Sequence, residues 1–239
     1  MAELWLTADS HFGHENVIRF CNRPWVSLKD HDDGMVARWN ELVKPNDVVI
    51  IVGDFAWQNH NRYIQILHGK KTLLIGSHDG MPKECLNNFT RVIGQKNQPG
   101  LLEFSVGPHR IVACHYPMVS WGASYHGSWH CHGHCHGRLP GLLDKLSMDV
   151  GVDVWDYRPV NFEVVRRLMV SKKEAWRDKC TRQNARDDEK PNQVLAQSAF
   201  NSQFLSAWKQ DWDRGVYQDT DYTTRYRYCL NDTTNLKEQ

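Results

Sequence analysis

Three short apolar runs stop abruptly at segments rich in acid and histidine, and this punctuation limits the fold more than any other feature of the chain. Leu4-Trp5-Leu6-Thr7-Ala8 ends at Asp9-Ser10-His11. Val48 to Val52 ends at Gly53-Asp54-Phe55, and Thr72 to Ile75 ends at Gly76-Ser77-His78-Asp79. Apolar runs without alternation describe strands buried on both faces, the habit of a parallel sheet. Helical patterns separate them. Ser27 predicts an N-cap with Asp30 as its capping-box partner, and Met35, Trp39 and Leu42 then share one helical face. A weaker helix is expected from Arg62 to Leu67. Strand, polar tip and helix in alternation predict βαβ units, with functional groups collected beyond the carboxyl ends of the strands.

The second half changes character. Leu101 to Val106 and Arg110 to Cys114 flank a Gly107-Pro108 turn and predict a hairpin. A strand is expected before Gly133, another at Ser147 to Val150, and these imply a second sheet packed on the first. Asn161 predicts the cap of a helix through Phe162, Val165, Leu168 and Met169. The charged stretch from Ser171 to Pro191 reads as a solvated helix end and linker. Beyond it, Phe200, Phe204, Trp208 and Trp212 recur at helical spacing, an aromatic stripe suited to docking on the domain or on a second subunit. The predicted organisation is a main domain over residues 1–170 and a charged, helical extension over residues 171–239.

Charge and cysteine usage exclude some classes. A net charge of +1 on 239 residues encodes no bulk attraction to nucleic acid or anionic membrane. No apolar stretch reaches the length of a membrane span. The first residues lack a basic segment followed by a long apolar run, so no secretory leader is expected. Seven cysteines without the spacing of a small secreted scaffold predict reduced thiols and a cytoplasmic setting.

Two further segments, Cys114-His115-Tyr116 and Gly133-His134-Cys135-His136, complete a series of five at predicted strand ends. Together they supply carboxylate and imidazole, donors that suit manganese, iron, zinc or nickel. Asp9 and His11, two residues apart, can aim at one ion. Asp54 is the natural bridging carboxylate to a second. His134 and His136 can serve one ion each, and His115 can complete the shell of the second ion. A pair of ions about 3.5–4 Å apart activates water and clamps a phosphoryl group, so the expected chemistry is hydrolysis of a phosphate ester.

These segments resemble the calcineurin-like metallophosphoesterase superfamily over roughly Leu4 to Leu168. The phrases from Thr7 to Trp25 and from Val150 to Val160 further resemble a bacterial and phage branch of small phosphoesterases. The resemblance implies a four-layer α/β/β/α sandwich of two mixed sheets flanked by helices. It implies two divalent ions, manganese first, with iron, zinc or nickel as alternatives. Asp9, His11, Asp54 and His136 would hold one ion. Asp54, His115 and His134 would hold the other, with position 77 as its fourth ligand. His78 would hydrogen-bond the phosphate or protonate the leaving oxygen, and Asp79 would orient His78. A metal-bound hydroxide would attack phosphorus in line. The chain departs from the family at Ser77, where asparagine is usual. Three readings follow: a weakened second ion, an inactivating substitution, or a natural binder of phosphoesters with little turnover.

Other residues are candidates for the substrate, expected to be a small and nucleotide-like phosphoester. His14 and Asn16 can contact phosphate or cap a helix starting there. Arg23 offers a bidentate guanidinium. Trp121, within a loop that also holds Tyr125, His126 and Trp129, can stack on a nucleobase. The rival readings are a non-catalytic phosphoester-binding protein, a nuclease, and a structural zinc protein using Cys131, His132, His134 and Cys135. Extended nucleic acid is the less favoured partner because basic clustering is lacking.

Overall fold

The computed structural model describes residues 2–139 and 145–187, with the backbone alone for 175–187. The extension beyond residue 187, including the aromatic stripe and any subunit contact through it, lies outside the described residues. The segments described here belong to the compact unit Met1–Cys180, apart from the last turns of its final helix.

The apolar runs form the first sheet. Strands β1 (Leu4–Thr7), β2 (Val48–Val52), β3 (Lys70–Leu74) and β4 (Arg91–Ile93) lie side by side and parallel. Helices α1 (Glu15–Phe20) and α2 (Leu28–Leu42) follow β1, α3 (His60–Ile66) follows β2, and α4 (Lys83–Leu86) follows β3. The second sheet contains β5 (Leu101–Val106), β6 (His109–Cys114), β7 (Trp129–His132) and β8 (Ser147–Asp149). Strands β5 and β6 form the predicted antiparallel hairpin, whereas β6, β7 and β8 run parallel. The chain then returns to the first sheet as β9 (Val160–Asn161), antiparallel to β1, and leaves as α5 (Phe162–Asp187). Both sheets are therefore mixed and flanked by helices, the α/β sandwich expected. Helix α5 runs through the boundary expected at residue 170.

Side-chain alternation assigns each strand two interiors. Trp5, Val49, Ile51 and Leu73 face Met35 and Trp39 of α2 and Tyr63 of α3. Leu6, Ile50, Val52 and Leu74 face Ile111, Ala113, Trp129 and Cys131 of the second sheet, joined there by Phe162, Val165 and Met169 of α5. Each fully buried aliphatic side chain contributes about 1.5–3 kcal/mol relative to exposure. Ser27 caps α2 as predicted, its Oγ accepting from Asp30 N at 3.1 Å. Asn161 Oδ1 accepts from Glu163 N at 2.8 Å at the start of α5.

Register decides where the polar tips fall. Thr7 lies opposite Ile51, and Val52 opposite Leu74, so the carboxyl ends of β1, β2 and β3 finish level. The two sheets are laced together at that same end. Ala8 pairs with Gly151, and Val152 N donates to Ala8 O at 3.0 Å. Among the described residues no helix is long and apolar enough to cross a membrane.

One buried cation sits far from this end in the chain's logic. Lys71 Nζ donates to Leu67 O at 2.6 Å and Gly69 O at 2.8 Å at the end of α3. Burial lowers its pKa to about 8. Between that value and the ordinary lysine value near 10.4, the unfolded chain holds a proton that the folded chain has released. This residue's contribution to stability must therefore rise with pH across that window, and its cost is fully present at pH 7. Urea denaturation should show Lys71→Met gaining more over the native chain at pH 7 than at pH 10. A gap that does not change with pH would refute this assignment.

Candidate metal centre

Five of the seven predicted ligands lie in left-handed backbone: Asp9 at φ 57°, His11 at 51°, Asp54 at 55°, His134 at 71° and His136 at 47°. Such conformations are unfavourable for side-chain-bearing residues and gather at functional sites. Hydrogen bonds hold them. Asp9 N donates to Gly53 O at 3.1 Å and His11 N to Asp54 O at 3.0 Å, so the chain after β1 is stitched to the chain after β2. Asp9 Oδ1 and Oδ2 accept from His134 N at 3.0 and 2.9 Å, which ties the first sheet to the second.

Two glycines beside the cluster show how closely its loops approach. Gly53 has φ 88°, and a Cβ there would land on the His115 ring. A Cβ on Gly133 would lie 2.5 Å from Ala8 Cβ and 2.6 Å from Asp9 Oδ2. Both glycines let the ligand-bearing loops close to contact.

The side chains converge as two donor sets. One potential ligand atom from each of Asp9, His11 and His136 lies within 4.8 Å of the others, and the same holds for Asp54, His115 and His134. Asp54 stands between the sets. Its Oδ2 is 3.2 Å from His115 Nε2 and 3.7 Å from His11 Nε2. His11 and His136 stack with centroids 5.4 Å apart. A third group, Cys21, His136 and Asp153, also falls within 4.8 Å, but Arg23 already holds Asp153 with two hydrogen bonds.

The ring nitrogens facing away from the cluster are fixed, as ligand imidazoles require. His115 Nδ1 lies 2.9 Å from Val52 O, and His136 Nδ1 lies 2.7 Å from Asp153 Oδ2. This leaves Nε2 of each turned inward. Burial opposes charge on His115, but the hydrogen bond and charge of Asp54 outweigh it and raise the pKa to about 9. Burial likewise opposes charge on His136, and Asp153, Cys21 and Asp9 raise it to about 10. Burial lifts Asp9 to about 7 against the pull of both imidazoles. Asp54 goes the other way: burial raises it, but His115, His11 and the His78 amide hold it below the ordinary carboxylate range. Burial pushes His11 and His134 the other way, His134 to about 4, so each set pairs a raised imidazole with a lowered one across the shared centre. In donor type, convergence and orientation, these residues fit two borderline divalent ions.

Ser77 does reach the second set. Its Oγ donates to Asp54 Oδ2 at 2.9 Å and lies 3.4 Å from His115 Nε2. His78 is exposed at the mouth, its ring 5.6 Å from that of His11, while its backbone N donates to Asp54 Oδ1 at 2.8 Å.

Four expectations need correction. Asp79 does not use its carboxylate to orient His78. It accepts from Asp54 N, Phe55 N and Gly76 N, all at 2.8 Å, and so shapes the backbone beneath both loops. Arg23 is not available to phosphate. Its guanidinium donates to Asp153 Oδ1 and Oδ2 at 2.9 and 2.8 Å, to Ser10 O at 3.0 Å and to Asp9 O at 2.7 Å, with His31 Nε2 at 2.8 Å. An arginine has five N–H donors, so none is left over. Trp121 is not a free stacking face: Nε1 donates to Ser128 Oγ at 3.0 Å, and the ring packs 5.1 Å from His130. Asn16 does not cap α1: it is exposed within the first turn, and His14 holds the N-cap position. The structural-zinc alternative also fails on geometry, because Cys131 faces the apolar interior between the sheets.

His14 occupies the N-cap position without a side-chain cap bond. Its ring lies 5.5 Å from His11 and stacks on Trp57 at 4.7 Å. Trp57 and Asp153 were not singled out from the sequence. Trp57 follows Asp54 by three residues, and Asp153 lies in the segment that carries part of the family resemblance. Those placements were the available signals.

No protein-family model matches the chain. An uncharacterised protein of Methanocaldococcus jannaschii, MJ1445, is 26% identical over 179 residues, spanning 71% of this chain and 92% of that protein. The gene 66 proteins of Mycobacterium phages D29 and L5 are 34% and 30% identical over 85 and 86 residues, about a third of this chain and 41% of each phage protein. The crystal structure of AQ665, a protein of unknown function from Aquifex aeolicus, superposes with a TM-score of 0.57 at 24% identity. It covers 70% of this chain and all of that one, and it speaks to the fold.

The Arg23–Asp153–His136 connection is testable. Asp153→Asn should weaken binding at the Asp9, His11 and His136 set by about 10–100-fold, the usual effect of losing a group that orients a ligand imidazole. Binding at the other set should change much less. Competition against a chelator reads both affinities, and two unchanged affinities would show that Asp153 does not position His136.

Proposed function

We propose that the chain is a two-metal phosphoester hydrolase of the calcineurin-like metallophosphoesterase type, acting on a phosphomonoester or phosphodiester. The observation that carries this reading is Asp54, whose one carboxylate oxygen faces His115 at 3.2 Å and His11 at 3.7 Å, between two converging donor sets. Asp9, His11, Asp54 and His136 would hold one ion, and Asp54, His115 and His134 the other. A divalent pair supplies an activated water at neutral pH and neutralises charge on the phosphoryl oxygens.

The protein's own contribution is placement. Asp79 and the His78 amide lock Asp54 in one orientation. Val52 O and Asp153 fix two imidazoles before any ion arrives, so little reorganisation accompanies binding. The exposed His78 ring stands at the mouth beside His11, free of the ligand shell, where it can donate a proton to the leaving oxygen. Purified protein should hydrolyse phosphoesters with added manganese. Asp54→Ala should lose metal and activity together. His78→Ala should keep its metal and lose about 10²–10⁴-fold in turnover. Elemental analysis beside turnover separates the two, and metal loss in His78→Ala would make His78 a ligand instead.

Ser77 favours a second reading, a phosphoester-binding protein with slow turnover. Its hydroxyl hydrogen-bonds the Asp54 oxygen that both sets share, at 2.9 Å. A neutral hydroxyl there is a weaker donor than a carboxamide oxygen. Ser77→Asn should tighten the weaker ion by roughly 10-fold or more and raise turnover at limiting manganese, on the scale of ordinary metal-site perturbations. Two equally tight ions in the native chain, with neither affinity nor rate altered in the variant, would show the serine to be sufficient.

A further inference from the structure

We infer that Trp57 is the platform for a nucleobase carried on the leaving side of the phosphoester; the placement of phosphorus rests on the hydrolase reading above. The indole is 52% exposed. His14 lies parallel beneath it, with centroids 4.7 Å apart and planes at 15°. His78 meets it from another side, its ring 5.6 Å away and tilted by 55°, and the rest of the indole is open to solvent.

The ring is held in place. Trp57 N donates to Phe12 O at 2.8 Å, Ala56 pairs with Phe12, and Gln58 Nε2 donates to Gly13 O at 2.9 Å. The backbone on both sides of the indole is thus tied to the loop that carries His11. His14 Nδ1 is buried without a hydrogen-bond partner, so stacking, not a bond at that atom, orders the pair. A third ring on the open indole face would extend the stack.

Spacing selects the kind of ring. His78 lies 5.6 Å from His11, and Trp57 lies 5.6 Å from His78. Trp57 is therefore one ring further from the donor sets than the group proposed to assist departure. An aryl group bonded directly to the ester oxygen would stop at His78. A base held away by ribose would reach the indole. Stacking on an indole tolerates any base, since every base offers a π-face.

AMP and ribose 5-phosphate share sugar and phosphate and differ by the base. Equilibrium dialysis against the manganese-loaded His78→Ala chain should show AMP bound about tenfold or more tighter, the scale of one base–aromatic stack. Adding Trp57→Ala should abolish the difference without changing ribose 5-phosphate binding, and Trp57→Phe should restore part of it. In the His78-bearing chain, kcat/KM should follow the same order. Equal binding of the two compounds, no AMP binding, or a difference that survives Trp57→Ala overturns the inference. If neither compound nor a dinucleotide phosphodiester is hydrolysed but AMP binding still depends on Trp57, the platform stands and the hydrolase reading fails.

Discussion

The Asp54 carboxylate is the constraint on which the rest of the site depends. It accepts from the His78 amide at 2.8 Å and the Ser77 hydroxyl at 2.9 Å, and faces imidazoles from β6 and from the loop after β1. A buried carboxylate is tolerable only when its lone pairs are engaged. Here the partners come from the ends of three strands, β3, β6 and β1. Asp54 therefore works only if three strands finish level and the second sheet approaches to hydrogen-bonding distance. The register of β1, β2 and β3 supplies the first condition, and the lacing of Ala8 to Gly151 supplies the second.

Beneath the ligands lies a connected polar layer. Asp32 accepts from Gly13 N and from Tyr63 OH, and faces His31 Nδ1 at 2.8 Å. His31 meets Arg23, Arg23 holds Asp153, and Asp153 holds His136. Because Arg23 accepts nothing, its contact at 2.8 Å makes His31 Nε2 the acceptor and leaves Nδ1–H for Asp32. That fixes a neutral tautomer at a fully buried ring. The layer carries strained backbone at Asp9 and His11 from below, since two of the five Arg23 bonds end on the carbonyls of Asp9 and Ser10. Strain of a few kcal/mol persists only when surrounding structure over-determines it, and here Arg23 adds to the backbone bonds from Asp9 to Gly53 and from His11 to Asp54.

The legible parts of the chain were those governed by period and punctuation. Val48 to Val52 could be read as a strand ending at a carboxylate because an unbroken apolar run leaves few alternatives. The Ser27 and Asn161 caps follow from local hydrogen bonding. Donor convergence was legible because five tips on parallel strands share one end. Arg23, Asp79 and Trp121 were misread for a common reason. Each is a polar or aromatic group near the site in sequence, and sequence position does not say whether its donors face outward. Five bonds on Arg23, three on Asp79 and the Ser128 bond on Trp121 are tertiary facts. Short elements such as β4 and β9 escaped because they are defined by neighbours, not by pattern.

Trp57 shows the opposite case, an exposed aromatic side chain that no motif in the sequence marks. Its neighbours Phe55 and Ala56 are indeed buried. The difference lies in direction. Phe55 packs against Phe12 and Phe89 within the helix-covered interior, whereas Trp57 lies beyond the carboxyl end of β2, where the chain has left the sheet and meets the His14 and His78 rings. One residue pattern thus supplies a core anchor, a carboxylate between two donor sets and an exposed aromatic face within four positions. The level strand ends that bring the donors together also set this face beside the same cluster, so the proposed recognition and the proposed chemistry would be positioned by one piece of geometry.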